Sequence, residues 1–190
     1  MSTSLGSDVD LFGVAFGVGR SRPFLPVAPA ELAGRIVDLA ELWGSPADAL
    51  GERLRGRTFE ERVDVIEQVL AARVPARAPA DSELQAVIER IGADPGGTRV
   101  APLAANTGLS RQRFTCWFTD AVGMGPKRFA RIRRVQRLLR HVTDGSDEDW
   151  SQVALRLGYY DQAHMIGDFH WLTGDSPARF RAAHRAARRA

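Results

Sequence analysis

The fold is decided by a stretch that occurs twice in the C-terminal half of the chain. Residues 104–129 run AANTGLSRQRFTCWFTDAVGMGPKRF, and residues 154–180 run ALRLGYYDQAHMIGDFHWLTGDSPARF. From the polar residue at position 110 or 161 onward, every matched position in the two copies is separated by 51 residues. The turn before that polar residue is one residue longer in the second copy. A repeat that keeps its register over this length indicates one structural unit used twice.

Each matched position has a distinct structural role. Ser110 and Asp161 are strong helix N-caps, because their side-chain oxygens can accept a hydrogen bond from a free backbone N–H. Apolar residues four apart then predict one buried stripe on each capped helix, and they are Phe114 with Phe118 and Met165 with Phe169. The other matched positions hold a small alanine, two glycines that end helices and a proline that begins a helix. The four pairs are Ala104 with Ala154, Gly108 with Gly158, Gly123 with Gly174, and Pro126 with Pro177. The pattern predicts two helix-turn-helix units.

A basic helix joins the two copies. It begins near Pro126 and runs KRFARIRRVQRLLRHV, with an apolar stripe that includes Phe129 and Val135. Its charged side chains lie mostly on other faces, where they can contact phosphate. The candidates for phosphate contacts are Lys127, Arg128, Arg131 and Arg134.

The rest of the pattern predicts a mainly α protein. Residues 81–190 are predicted as one domain of about seven helices, near 82–94, 100–107, 110–120, 126–142, 148–157, 161–172 and 176–187. Residues 1–73 are predicted as a small, mostly helical segment with one short strand at 11–18 and a capping box that begins at Thr58. Residues 74–80, VPARAPA, contain two prolines and no periodicity, which is typical of a linker.

Composition limits the class of protein. Hydrophobic residues make up 44% of the 190 residues, which indicates a globular chain. The single cysteine, Cys116, excludes an intrachain disulfide, and the start of the chain has no secretory signal pattern, so we expect a cytoplasmic protein without a membrane span. Residues 1–80 carry a net charge of −2 and residues 81–190 one of +5, so a polyanionic partner is expected at the second half.

At this point the chain resembles the DNA-binding domain of the AraC/XylS family of transcription regulators. Residues 100–139 and 153–181 resemble its two halves, and the segment GYYDQAHMIGDF…TGDSPARF is the more specific of the two. The resemblance covers about residues 82–182. It implies two recognition helices, 110–120 and 161–172, that enter successive major-groove segments of double-stranded DNA about 34 Å apart.

The resemblance also implies which residues contact DNA. In the first recognition helix they are Ser110, Arg111, Gln112, Arg113, Thr115 and Cys116. In the second they are Asp161, Gln162, Ala163, His164 and Gly167. Arginine can pair with guanine and glutamine with adenine in the major groove. Cys116 and Gly167 stand where the family often has arginine. Because Gly167 has no side chain, the second unit is expected to recognise sequence poorly.

Family members usually carry a full sensing or dimerisation domain before the linker. Residues 1–73 therefore resemble the remnant of such a domain, and either the chain is naturally shortened or its true start lies upstream. This segment can supply a homodimer interface, and RNA polymerase is a further candidate partner. No catalytic, metal-ligand or cofactor motif stands out in the sequence, so an enzyme with an attached DNA-binding domain is disfavoured. The main alternative is a helical protein-interaction module that has lost DNA recognition.

Overall fold

The computed structural model describes residues 12–74, 82–144 and 148–188. Across these ranges it contains eleven α-helices and one short 3-10 helix at Arg22–Phe24. The N-terminal segment holds α1 (Pro29–Leu32), α2 (Leu39–Trp43), α3 (Ser45–Leu54) and α4 (Phe59–Ala71). The C-terminal part holds α5 (Ser82–Ala93), α6 (Val100–Asn106), α7 (Arg111–Val122), α8 (Pro126–Thr143), α9 (Trp150–Arg156), α10 (Gln162–Thr173) and α11 (Pro177–Ala187). The seven helices predicted from residue 82 onward are confirmed.

The C-terminal part contains two hydrophobic cores that share α8. The first core lies between α5, α6, α7 and the start of α8, around the fully buried Phe114 and Phe118. The second lies between the end of α8, α9, α10 and α11, around Met165 and Phe169. Phe129 of α8 belongs to the first core and Val135 to the second. We call α6 with α7 the first helix-turn-helix unit, and α9 with α10 the second.

The N-terminal segment packs on the first unit. Helix α1 lies against α7, and the backbone of Gly19 lies against Leu84 and Ile88 of α5. Within the segment, the indole Nε1 of Trp43 donates a hydrogen bond of 2.8 Å to the carbonyl oxygen of Phe24. The segment is therefore attached to the first helix-turn-helix unit as well as linked to it along the chain.

The predicted short strand at residues 11–18 is wrong for its described part, residues 12–18. This stretch is irregular, and Val14, Phe16 and Val18 are exposed. A strand needs a neighbour to pair its backbone N–H and C=O groups, and the described residues form no second strand to provide one. Phe16 instead stacks on Phe24, with ring centroids 4.8 Å apart.

Other predictions depend on local signals that the structure shows directly. The capping box at Thr58 is confirmed, since its hydroxyl accepts from the backbone N–H of Glu61, whose carboxylate accepts from the N–H of Thr58. The predicted linker, residues 74–80, lies outside the described residues apart from Val74. In the described part of the chain, no helix is both long enough and apolar enough to cross a bilayer.

Candidate nucleic-acid interface

Helix α7, the predicted first recognition helix, is bounded by the residues that the repeat singled out. The hydroxyl of Ser110 accepts a hydrogen bond of 3.3 Å from the backbone N–H of Arg113. Gly123 ends the helix in the left-handed conformation, with φ of 87°. Because glycine has no Cβ, this conformation brings no steric penalty. Because Phe114 and Phe118 are completely buried, the opposite face of α7 points away from the protein.

The candidate contact residues of the first unit lie at exposed positions around the buried stripe of α7. Arg111, Gln112, Arg113, Thr115 and Cys116 are all exposed. The hydroxyl of Thr115 donates to the carbonyl oxygen of Arg111 at 2.8 Å, one turn back along the helix. Within the described residues, neither Arg111 nor Arg113 forms an ion pair. Both guanidinium groups are thus available to an external acceptor.

Helix α10, the predicted second recognition helix, is bounded in the same way. The carboxylate of Asp161 accepts a hydrogen bond of 2.7 Å from the backbone N–H of His164. Gly174 ends the helix with φ of 74°. Met165 and Phe169 are fully buried and fix the helix on the second core. The cap, the stripe and the terminal glycine that the repeat predicts are therefore present in both units.

The outward face of α10 differs in chemistry from that of α7. Ala163, His164 and Gly167 are exposed, and a Cβ built on Gly167 would have no atom within 4 Å. Gln162 is partly buried, and its side-chain carbonyl accepts a hydrogen bond of 3.1 Å from the hydroxyl of Ser151 on α9. The sequence of α10, QAHMIGDFHWLT, contains no arginine or lysine.

A buried carboxylate attaches α10 to α8. Asp168 is 4% exposed, and its two oxygens accept from Arg131 Nε at 2.6 Å and from Arg134 Nη2 at 3.2 Å. His164 Nε2 lies 3.8 Å from the same carboxylate. Sequence analysis missed Asp168, although an aspartate between the buried Met165 and Phe169 is a signal for a carboxylate that faces a cation.

A basic cleft follows at the start of α8. It is lined by Lys127, Arg128 and Arg131 of α8 and by Trp171 of α10. The guanidinium carbon of Arg131 lies 4.0 Å from the Trp171 ring centroid, within the range of a cation–π contact. In the part of the chain that the structure describes, Lys127 and Arg128 form no ion pair. The cleft therefore has an excess of positive charge next to the second recognition helix.

The predicted phosphate contacts thus fall into two groups. Lys127 and Arg128 are exposed, whereas the Arg134 side chain is 15% exposed and directed inward. Arg134 also donates to the carbonyl oxygen of Gly158 at 3.3 Å, and its guanidinium lies 4.7 Å from the Tyr159 ring. Burial, with a smaller effect of the Asp168 charge, raises the pKa of the Tyr159 phenol, so this side chain stays neutral beside the ion pair.

Two contacts join α8 and the second unit to the segment that precedes the first unit. Arg137 Nη2 donates a hydrogen bond of 2.7 Å to the carbonyl oxygen of Ala93 at the end of α5. The backbone of Gly96 in the following loop meets the backbone of Gly158 in the turn between α9 and α10. These contacts fix the second turn against the loop that precedes the first unit.

Comparisons with known proteins agree with this architecture. A family model described as a helix-turn-helix domain matches residues 103–183. The DNA-binding domain of AdpA, a global transcriptional factor solved in complex with a target DNA, is 31% identical, with a TM-score of 0.52 over 56% of this chain and 96% of that one. A transcriptional regulator from Chromobacterium violaceum, of the AraC type, has a TM-score of 0.50 at 17% identity over 57% of this chain and 96% of its own, which shows the fold alone. No curated protein matches the chain.

Two capped helix-turn-helix units on one shared helix define a helix-turn-helix DNA-binding transcription regulator. The chain belongs to the AraC/XylS family, as the sequence predicts. This is a family of DNA-binding transcription factors, which are not enzymes.

Proposed function

We propose that the chain regulates transcription by binding double-stranded DNA with α7 and α10 in successive major-groove segments. One observation carries this proposal: the two helices have the same design at matched positions of one repeat. Each has an N-cap, a buried apolar stripe and exposed side chains on its other faces. Segments that face the same side of B-form DNA are about 34 Å apart. The shared helix and the Gly96–Gly158 contact provide the fixed spacing that such binding needs.

In the first unit, Arg111, Gln112 and Arg113 are proposed to contact base edges. Arginine donates two hydrogen bonds to guanine and glutamine pairs with adenine, and each good pair discriminates by about 1–3 kcal/mol. Ser110, Thr115 and Cys116 border this set on the same helix end. In the second unit the proposed contacts are Asp161, Gln162, Ala163, His164 and Gly167.

Phosphate contacts are proposed for the basic cleft. Lys127 and Arg128 have no acidic partner in the described residues, and Arg131 has a partly exposed side chain beside them. Arg134 is proposed to act through Asp168 by positioning α10, because its guanidinium is already occupied by the carboxylate. Homodimer formation through the N-terminal segment and contact with RNA polymerase remain proposals that accompany this function.

The test is selection of binding sites from random duplexes, followed by titration at several salt concentrations. We expect a selected site with two sequence elements spaced by about one helical turn, 10 to 11 base pairs. Binding should weaken steeply with salt, by a factor that reflects the number of phosphates contacted. No enrichment of any sequence, or a single element only, would contradict a binding mode with both units.

The alternative function is a protein-interaction module built on the same helices. It is favoured by two exposed hydrophobic side chains of the second unit, Leu155 at 68% and Tyr160 at 87% exposure. Exposed apolar side chains mark surfaces that another macromolecule covers when they form one contiguous patch. If the chain retained no duplex of any sequence and bound a protein at these residues, this alternative would replace the proposed function.

A further inference from the structure

The second recognition helix presents an apolar surface where the first presents a polar one. An α-helix turns by about 100° per residue, so four residues of α10 lie outside the stripe of the buried Met165 and Phe169, with Ile166 at its flank. These are Ala163, Ile166, Gly167 and His170, all exposed. Three of the four have no side-chain hydrogen-bonding group. The matched residues of α7, 51 positions earlier, are Gln112, Thr115, Cys116 and Thr119.

Ile166 is the largest apolar group on this surface. It is 36% exposed and sits beside Gly167, whose Cβ position is open to solvent. An isoleucine on an outward helix face buries its side chain only when another molecule covers it. Its matched residue, Thr115, places a hydroxyl at the same position of the first unit.

The polar side chains in the first turn of α10 are already engaged within the protein. The side-chain carbonyl of Gln162 accepts from Ser151. His164 Nε2 lies 3.8 Å from the Asp168 carboxylate, and its ring packs edge-on against Tyr159 at 5.4 Å. Of the side chains at the start of α10, the apolar ones are therefore the freest to meet a ligand.

The charge around this apolar surface indicates what covers it. The basic cleft of Lys127, Arg128 and Arg131 lies against Trp171, which is on the last turn of α10. Within the described residues, two of these cations have no acidic partner. An apolar surface bordered by unpaired cations is complementary to a DNA groove flanked by phosphates. The apolar group that the major groove offers is the 5-methyl of thymine.

We infer that Ile166, with Ala163 beside it, recognises thymine methyl groups in the second DNA segment and thereby gives this unit its sequence preference. This inference rests on the proposed function and adds to it a chemical specificity for the second unit. The first unit selects by hydrogen bonds from Arg111, Gln112 and Arg113, whereas the second selects A·T pairs by apolar contact. Ile166 is thus a specificity-determining residue outside the set that the family resemblance implies.

The experiment uses the full chain and the tightest duplex from site selection. Each thymine is replaced, one at a time, by deoxyuridine, which lacks only the methyl group, and affinities are measured by fluorescence anisotropy. We expect at least one replacement in the second segment to weaken binding about fourfold, as expected for losing one buried methyl. The Ile166→Ala variant should bind the thymine and deoxyuridine duplexes equally. Leu155→Ala removes an exposed apolar side chain from α9 instead and should keep the fourfold difference.

The outcomes separate this inference from the proposed function. Equal binding of every deoxyuridine duplex by the unmodified protein, or a selected second segment without thymine, overturns the inference alone. A fourfold difference that persists in Ile166→Ala overturns the assignment to Ile166. A loss of self-association in Ile166→Ala, with thymine discrimination intact, places the residue in a protein interface and also overturns it. Failure to bind any duplex overturns the proposed function instead.

Discussion

Gly96 and Gly158 pass so close to each other that a Cβ on Gly96 would lie 2.6 Å from the Cα of Gly158. Real Cβ atoms do not approach backbone atoms to that distance, so an alanine at either position must push the two segments apart. Gly96 precedes the first helix-turn-helix unit, and Gly158 lies in the turn of the second. The close approach of these two segments therefore requires glycine at both positions.

The first prediction concerns Gly96→Ala. Because the displaced atoms are backbone on both sides, we expect the free energy of unfolding to fall by about 1–3 kcal/mol and the affinity for a two-element operator to fall with it. Urea denaturation and anisotropy measure the two effects. Gly51→Ala is the matched control, since Gly51 lies within α3 with no atom within 4 Å of its Cβ position. That variant should gain about 0.5–1 kcal/mol, and a loss there would show that the Gly96 result is not specific to the contact.

The second prediction concerns Asp168→Asn. Removing the charge leaves the inward-directed guanidinium of Arg134 without its counter-ion, while Arg131, with a side chain 36% exposed, can turn to solvent. We expect a loss of roughly 1.5–3 kcal/mol in stability, the range for a hydrogen bond to a charged group. Asp120→Asn on α7 changes an exposed aspartate with no ion pair in the described residues and should stay within about 0.5 kcal/mol. Equal stability of both variants would show that the buried pair contributes nothing.

The third prediction concerns Gly167→Arg. The site is open, and arginine is a much better helix former than glycine, by up to about 1 kcal/mol. We expect tighter DNA binding and a salt dependence steeper by about one counter-ion if the new side chain contacts phosphate. Gly167→Ala tests the helix effect alone and should leave the salt dependence unchanged. Unchanged affinity in a gel-shift titration of Gly167→Arg would mean that this helix face does not meet DNA.

The fourth prediction concerns Lys127→Ala. Lys127 is exposed at the basic cleft and has no acidic partner in the described residues, so its removal should not change stability. We expect weaker binding to every sequence and a salt slope smaller by about one, as for one lost phosphate contact. A change in base preference without a change in slope would assign Lys127 to base recognition instead.

The fifth prediction is the counterpart in the first unit, Gln112→Ala. Gln112 is exposed on the first turn of α7. We expect loss of preference at one base pair, worth about 1–3 kcal/mol of discrimination, with the salt slope unaltered. Repeating the site selection with the variant measures this directly, and an identical selected site would reject base recognition by Gln112.

The sequence predicts those parts of the fold that depend on local signals. The caps at Ser110 and Asp161 and the terminal glycines at 123 and 174 act through neighbours within a few residues. Spacing alone therefore locates α7 and α10 to within about two residues of their observed ends. The strand predicted at 11–18 failed because a strand depends on a partner that a local pattern cannot provide.

The interactions that the sequence did not predict all join distant parts of the chain. Asp168 and Arg131 are 37 residues apart, and Gly96 meets Gly158 from another helical unit. Neither contact leaves a periodic pattern in the sequence, because each depends on how α8 places the two units. The packing of α1 on α7 is of the same kind. Of the candidate site, the sequence thus predicted the exposed positions of α7 and most of those of α10, with Gln162 partly buried, but not the ion pair that joins α10 to α8.

Helix α8 gives Phe129 and Ala130 to one core and Val135, Leu138 and Val142 to the next. Adding one residue between Ala130 and Val135 would rotate everything beyond it by about 100° and advance it by about 1.5 Å, which would break the contacts of Gly158 with Gly96 and of Arg137 with Ala93. The distance and angle between the units therefore cannot change gradually through single-residue insertions or deletions in α8. Under the proposed function, a new DNA sequence preference would therefore come from exchanges of outward side chains on α7 and α10.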